Sequence, residues 1–303
     1  MRNGILNIYK EKGYTSHDVV AKLRGIVRQK RIGHTGTLDP DAEGVLPVCL
    51  GKATSLCGML TDQSKIYETV LLLGKVTDTQ DLTGRVLEER ETQGLTEEEV
   101  RSCIAGFAGD YEQLPPMYSA LKVNGKKLYE LARQGIEVER KKRKVRIHEI
   151  SIQEISLPRV RMKVHCSKGT YIRTLCHEIG EKAGCGGCME KLLRTETAGF
   201  TIEQACRLHE IEAIVKGLDE NKREISDLLL PVDAVLDGYP MVKAEKGMEK
   251  LLRNGGILPA SHTRPASGTP SGIYRMYDAQ GMFIGLFRYD IGKNAFKPEK
   301  MFL

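Results

Sequence analysis

Long apolar runs are missing from this chain of 303 residues. No stretch of about 18 consecutive apolar residues occurs, which excludes an ordinary membrane-spanning helix. The start, MRNGILNIYKEKG, has no apolar h-region and no small-residue cleavage site, so no secretory signal is expected and the cytoplasm is the expected compartment. Cysteine is sparse. Eight thiols are too few for a disulfide scaffold, and buried reduced thiols are the favoured reading. Cys185 and Cys188 have CxxC spacing, but no second CxxC or HxxxH follows. Zinc is therefore the weaker reading even with His165, Cys166, Cys176 and His177 nearby in sequence. GxSxG, the P-loop, the dinucleotide fingerprint and an HxE with a matching CxxC for a zinc deaminase are all absent.

Apolar material is not lacking: 41% of residues are hydrophobic, although only 6% are aromatic. That suffices for a real core and excludes global disorder, with length suggesting roughly two domains. The net charge is +6, and its location matters more than its size. Between Lys122 and Arg146 lie ten basic residues and three acidic ones, a local charge of +7, so the remainder carries −1. This concentration points to a localised contact with a polyanion.

Residues 4–9 (GILNIY) read as a strand. Thr15-Ser16-His17-Asp18 forms a capping-box pattern before Val19, Val20, Leu23, Ile26 and Val27 at helical spacing. Lys22, Arg24 and Arg28 mark that helix's outer face, Lys30 and Arg31 follow, and no acid intervenes before Asp39. Five cations without a counter-charge favour phosphate contact over a plain solvated face more than usual. Residues 66–73 (IYETVLLL) predict a strand buried on both faces, and Thr96 with Glu99 predicts a second capped helix. Residues 159–166 (RVRMKVHC) alternate as a half-buried strand with a basic outer face. Ser167-Lys168-Gly169 leads into a helix bearing Ile172, Leu175, Cys176 and Ile179, which Gly184 ends. Beyond residue 232 the pattern predicts a helical stretch (Val242, Met248, Leu251, Leu252), a Pro/Gly/Ser-rich segment at 258–272, and the strands GIYRMYD and FIGLFRYD. Strands and helices without regular βαβ alternation predict an α+β fold.

The densest chemistry lies in Gly33-His34-Thr35-Gly36-Thr37-Leu38-Asp39-Pro40-Asp41-Ala42-Glu43-Gly44. A calcium loop starting at Asp39 would need a bidentate Glu at its twelfth position, where Leu50 stands, so calcium fails. A nucleophile or base on a tight loop remains, with Gly33 and Gly36 allowing close backbone approach of a ligand; a plain Asp-Pro turn is the competing reading. Taken singly, His34 reads as a hydrogen-bonding histidine, Tyr67 as core, and Arg173, off its helix's apolar stripe, as one half of a surface ion pair.

Taken together, these segments resemble the TruB family of tRNA pseudouridine synthases. The resemblance rests on GHTGTLDPDAEGVLPVCLGKAT, KIYETVLLLGKVTDTQDLTG, QLPPMYSALKVNGKKLYELARQG, SKGTYIRTLCHEIG and LLRTETAGF in that order, and it extends into the C-terminal module. It implies a mixed-sheet catalytic domain over 1–232 with a thumb insertion at about 112–146, and a β-rich PUA-like RNA-binding domain over 233–303. The implied activity is isomerisation of a T-loop uridine, position 55 of tRNA, to pseudouridine, without metal or cofactor.

By that resemblance Asp39 is the essential carboxylate. Tyr67 stacks on the flipped base, Arg173 pairs with Asp39, His34 assists base flipping, and Leu192 lines the uracil pocket. Tyr171, Lys10 and Gly36 complete the implied substrate-binding set. Lys22, Arg24, Arg31, Lys122, Lys126, Arg140, Lys141, Lys142, Arg143 and Lys144 are expected to face the RNA backbone. The implied partner is the T-arm stem-loop of tRNA, bound by a monomer with no obligatory protein partner and no membrane. Two departures from the family pattern stand out: Lys10-Glu11-Lys12-Gly13 lacks the usual proline, and Glu43 places a second carboxylate near Asp39, where it is expected to raise the Asp39 pKa unless it points outward. A guide-RNA-type synthase and a non-catalytic RNA-binding or RNA-folding protein are the alternatives.

Overall fold

The computed structural model describes residues 1–264 and 272–303. Residues 265–271, most of the Pro/Gly/Ser-rich segment, lie outside the described residues. The α+β expectation holds. A nine-stranded sheet forms the body, in the order Gly4–Lys10, Glu43–Leu50, Gly187–Thr197, Lys65–Leu73, Arg159–Cys166, Arg143–Ser156 and Gly109–Gln113. Short strands Ile32–His34 and Phe200–Thr201 pair with Glu43–Leu50 and Gly187–Thr197. Neighbours run antiparallel except where Gly187–Thr197 lies parallel to Glu43–Leu50. This brings the start of the Glu43 strand, and so the acidic loop before it, within one strand of Tyr67 at the sheet's centre, with Leu193 and Arg194 between them.

Local chemistry sets the helix ends. The Thr15 hydroxyl accepts from the Asp18 amide at 3.0 Å, while the Asp18 carboxylate accepts from the Thr15 amide at 2.8 Å. The helix Ser16–Val27 then buries Val19, Val20, Leu23 and Val27 against the sheet, and Arg28 ends it in the left-handed region at φ 51°. Thr96 and Glu99 make the same reciprocal pair at the start of Glu97–Ala105. Arg159–Cys166 alternates as predicted. Lys65–Leu73, expected to be buried on both faces, alternates as well up to Val70: Ile66, Glu68 and Val70 are only partly covered, and Glu68 and Val70 front an open recess rather than a packed layer.

The basic segment is an insertion between adjacent strands. Gly109–Gln113 pairs antiparallel with Arg143–Ser156, Gln113 opposite Arg143, and the chain between them folds into a small hairpin (Lys122–Val123 with Lys126–Lys127) and the helix Leu128–Arg133.

Among the described residues, the C-terminal module is a six-stranded sheet. Val242 belongs to its strand Met241–Ala244, and only Glu249–Arg253 is helical, which corrects the longer helix expected from apolar spacing. A parallel pairing with Gly272–Tyr277 overrides the weak local helical pattern. Leu286 and Phe302 of this module share one core with Ile5, Val45 and Phe200 of the large sheet. At about 1.5–3 kcal/mol per buried large apolar side chain, that core resists separating the two.

Candidate active site

The loop 35–42 is held from both sides. Beneath it the Lys10 ammonium, wholly buried, donates to the carbonyls of Glu11, Pro40 and Ala42 at 3.2, 3.0 and 2.6 Å. At the first turn of the N-terminal helix, the Ser16 hydroxyl accepts from the Leu38 amide at 2.9 Å. Leu38 and Ala42 pack into the same core as Tyr67. Gly36 sits at φ 136° and Gly44 at φ 107°, and a Cβ on Gly44 would lie 2.2 Å from the Arg194 carbonyl oxygen. Gly33, expected to serve the loop, instead lies in a strand. Gly44 is the glycine that close packing requires.

This scaffold aims the Asp39 carboxylate into a cleft. Its Oδ2 lies 2.9 Å from Arg173 Nε, and water reaches 41% of the side chain. Arg173 is 4% exposed, so the surface ion pair is overturned. Its Nη1 donates to the Thr79 carbonyl at 3.1 Å and its Nη2 to the Tyr118 carbonyl at 3.0 Å, leaving Nε for carboxylates. A second carboxylate competes: Asp81 Oδ2 stands 3.6 Å from the same Nε. Burial pushes the Asp39 carboxyl above its ordinary value, Arg173 pulls it down, and Asp81 pushes it up. The like charge is thus Asp81, not Glu43, whose carboxylate accepts from the Tyr9 hydroxyl at 3.2 Å.

A cavity of about 610 Å³ opens over Asp39, walled by Gly36, Tyr67, Tyr171, Arg173, Leu192 and Arg194. Six of the eight expected catalytic and substrate-binding residues therefore meet in one place. Tyr67 is 8% exposed, and burial raises its phenol above the ordinary value while the Arg194 charge opposes the rise. Arg194, fully buried, donates from Nε to the Val45 carbonyl at 2.7 Å. The remaining two residues lie behind the loop. Lys10 has spent its donors on carbonyls, and His34 accepts at Nδ1 from the Gly36 amide at 3.3 Å with its ring edge-on to His17 at 5.6 Å. Burial, the first cause, lowers the His34 pKa and favours the neutral ring.

A carboxylate fixed by a buried guanidinium, a phenol forming the wall, and a cavity large enough for a nucleoside make a site for chemistry at a sugar or base. Residues 24–172 match the family model of the TruB family pseudouridylate synthase N-terminal domain, and 173–237 that of the tRNA pseudouridylate synthase B C-terminal domain. The chain belongs to the TruB family. It is thereby a pseudouridine synthase, an isomerase. Among the curated relatives it resembles tRNA pseudouridine synthase B of Lachnoclostridium phytofermentans at 51% identity, covering 99% of this chain and all of that one. The protein of the same name from Clostridium perfringens strain 13 is 44% identical, with 99% of each covered. A chain in the crystal structure of a Cbf5–Nop10–Gar1 complex superposes with a TM-score of 0.74 at 25% identity, covering 99% of this chain and 85% of that one.

In this TruB family member, charge divides about Asp39. On the cavity side stand Arg143, Lys144 and Lys168, the last ion-paired with Asp62; across Asp39, a recess of about 690 Å³ carries Asp41, Glu43, Glu68, Asp81 and Glu190 against Lys12, Arg161 and Lys191, a lining that stays net negative. A polyanion is drawn to the first side and repelled from the second. Lys122, Lys126, Lys141 and Lys142 are exposed on the insertion, and Arg143 and Lys144 are exposed at the start of the strand that follows it. Arg140 is not free: its guanidinium donates to the Pro115 carbonyl and to Glu137, and so braces the insertion. Lys22, Arg24 and Arg31 are exposed, yet each donates within the protein, to Tyr14, to the Lys30 and Ile32 carbonyls, and to Thr54. Cys185 and Cys188 are buried free thiols.

Asp81 and Arg194 escaped the sequence reading although both lie in the quoted family blocks. A lone arginine inside a strand and an aspartate flanked by Thr79 and Thr83 were the available signals; both threonine hydroxyls donate to Asp81 Oδ1.

Proposed function

We propose that this chain isomerises the T-loop uridine of tRNA, position 55, to pseudouridine, with Asp39 as the reacting carboxylate. The observation that carries the proposal is the 2.9 Å contact of Arg173 with Asp39 at the floor of a nucleoside-sized cavity. The names of the bacterial relatives support tRNA as substrate.

A uridine in a folded loop must leave its stack to reach Asp39, at a cost of a few kcal/mol that phosphate contacts offset. The insertion's free lysines and Arg143 are the contacts proposed to supply this, and binding should weaken steeply with salt. Neutral His34, which accepts from the amide of cavity-lining Gly36, assists extrusion. Tyr67 stacks on the base, with Tyr171 and Leu192 around it. Asp39 then either attacks C1′ or takes the C2′ proton; in both routes the N1–C1′ electron pair departs with the uracil. The base rotates and C5 bonds to C1′, with Asp39 leaving C1′ as the carboxylate in the first route or returning its proton to C2′ of the glycal in the second; the C5 proton is then lost and N1 gains one. Atoms balance without a co-reactant. Burial keeps the Tyr67 phenol protonated, so any part it takes in removing the C5 proton depends on Arg194 stabilising the phenolate.

The catalytic domain is proposed to span 1–232, with the PUA-like module at 233–303 as a second RNA contact in a monomer that needs no protein partner and works in the cytoplasm. Assembly of Asp39, Tyr67 and Arg173 in one cleft favours catalysis over RNA binding alone. The test is pseudouridine mapping in an unmodified tRNA transcript incubated with the purified chain. Modification at the T-loop uridine is expected; modification elsewhere, or only with an added guide RNA, would overturn the assignment.

A further inference from the structure

The helix Ile172–Lys182, which carries Arg173, begins without a side-chain cap. Tyr171 at its N-cap position is extended (φ −98°, ψ 109°) and its own side chain satisfies none of the free amides. Such a start is poorly fixed on its own, because the first N–H groups of a helix have no partner within it. Here one side chain from another element supplies the fixing. Gln113 Oε1 accepts from the Tyr171 amide at 2.8 Å, and Gln113 Nε2 donates to the Tyr171 carbonyl at 3.0 Å. A single primary amide thus mimics a rung of backbone pairing. Gln113 is 1% exposed, and its Nε2 also reaches the Tyr111 hydroxyl.

Its place in the chain gives this clamp meaning. Gln113 is the last residue of its strand and stands opposite Arg143, the first residue after the insertion, so it marks the insertion's root. Five residues on, the Tyr118 carbonyl takes a hydrogen bond from Arg173 itself. The root therefore holds the Arg173 helix twice, once by the Tyr171 backbone and once by the guanidinium.

We propose that Gln113 is a positioning residue that sets where Arg173 meets Asp39, so that the RNA-facing insertion and the catalytic ion pair share one rigid joint. The inference rests on the assignment of Asp39 as the reacting carboxylate. A displacement of about 1 Å at the helix start moves the guanidinium comparably, and misplacements of that size cost on the order of a hundredfold in rate.

Two substitutions separate a joint from mere filling. Gln113→Met keeps length and bulk but loses both backbone bonds. Gln113→Glu keeps both only when protonated, since an ionised carboxylate accepts from the Tyr171 amide but repels its carbonyl. The charged and titratable groups around this position are Tyr111 on its own strand, Arg143 across the register, Lys142 beside it, Cys166 two strands away, and Tyr171, Arg173, Cys176 and Glu178 at and along the helix. All are present in wild type as well, so the ratio of variant to wild type is read.

The experiment is single-turnover pseudouridine formation on saturating tRNA transcript across pH, with tRNA affinity measured alongside. Gln113→Met should slow turnover about tenfold or more with affinity within about twofold. The Gln113→Glu ratio should approach one at low pH and fall as pH rises. A Gln113→Met rate within about twofold of wild type, or a pH-flat Gln113→Glu ratio, overturns the proposal. If Gln113→Met is insoluble, the Gln113→Glu ratio decides alone. Asp39→Ala run in parallel keeps the two readings apart: its turnover would sink the Asp39 assignment, whereas an inert Asp39→Ala beside unaffected Gln113 variants sinks only the joint.

Discussion

Arg173 Nε stands 2.9 Å from Asp39 Oδ2 and 3.6 Å from Asp81 Oδ2, so one buried guanidinium serves two carboxylates. Only Asp39 is well open to solvent, at 41% against 14% for Asp81. The pair is therefore asymmetric: one carboxylate faces the cleft and the other anchors the arginine from behind.

Arg173→Lys tests the fork. Lysine keeps the charge but cannot serve the Thr79 carbonyl, the Tyr118 carbonyl and Asp39 from one planar group. Single-turnover pseudouridine formation should fall about a hundredfold with tRNA affinity little changed. A rate near wild type would show that charge alone suffices.

Asp81→Asn tests the electrostatics of Asp39. If ionised Asp39 is the active form, the rate rises with pH through its raised pKa, whose causes include repulsion from Asp81. Removing that charge also leaves Arg173 to Asp39 alone. Both effects lower the Asp39 pKa, so the acid limb of the pH–rate profile should move to lower pH, even where the maximal rate falls. A limb that moves to higher pH contradicts this.

Gly44→Ala tests the packing under the loop. The new Cβ would meet the Arg194 carbonyl at 2.2 Å with φ at 107°, and the neighbour is backbone in the central sheet. Urea unfolding should show a loss of about 3 kcal/mol or more. A loss under about 1 kcal/mol would mean the sheet yields easily there.

Glu178→Gln tests a cost carried by the Arg173 helix. Burial pushes the Glu178 carboxyl from 4.5 up to about 7. Between those values the folded chain binds more protons than the unfolded one, so this group's contribution to stability falls as pH rises through the window. The glutamine variant should be more stable to urea than wild type at pH 8, by roughly 1–2 kcal/mol once solvent screening of this half-buried group is allowed for, and show little gain near pH 4. Equal gains at both pH values would place the effect elsewhere than ionisation.

Much of the site was legible because its residues cluster in the chain. The Asp39 loop packs glycines, acids and Asp-Pro into one segment, and the insertion declares itself by charge. Arg173 was misjudged by helix periodicity, since its burial comes from Thr79 and Tyr118, 94 and 55 residues away. Gln113 gave no local signal for the same reason: its meaning lies in the Tyr171 backbone. Val242 looked helical because its strand is four residues long and both of its partners, parallel Gly272–Tyr277 and antiparallel Thr263–Arg264, lie about 20 to 35 residues away in the chain. Local pattern named the elements; which polar groups became buried was decided by the order of strands in the sheet.

The most direct measurement is pseudouridine content of the tRNA T-loop after incubation with Asp39→Ala, with tRNA binding measured on the same sample. The account predicts no detectable isomerisation at any enzyme concentration while binding persists. Pseudouridine formed by that variant would contradict it.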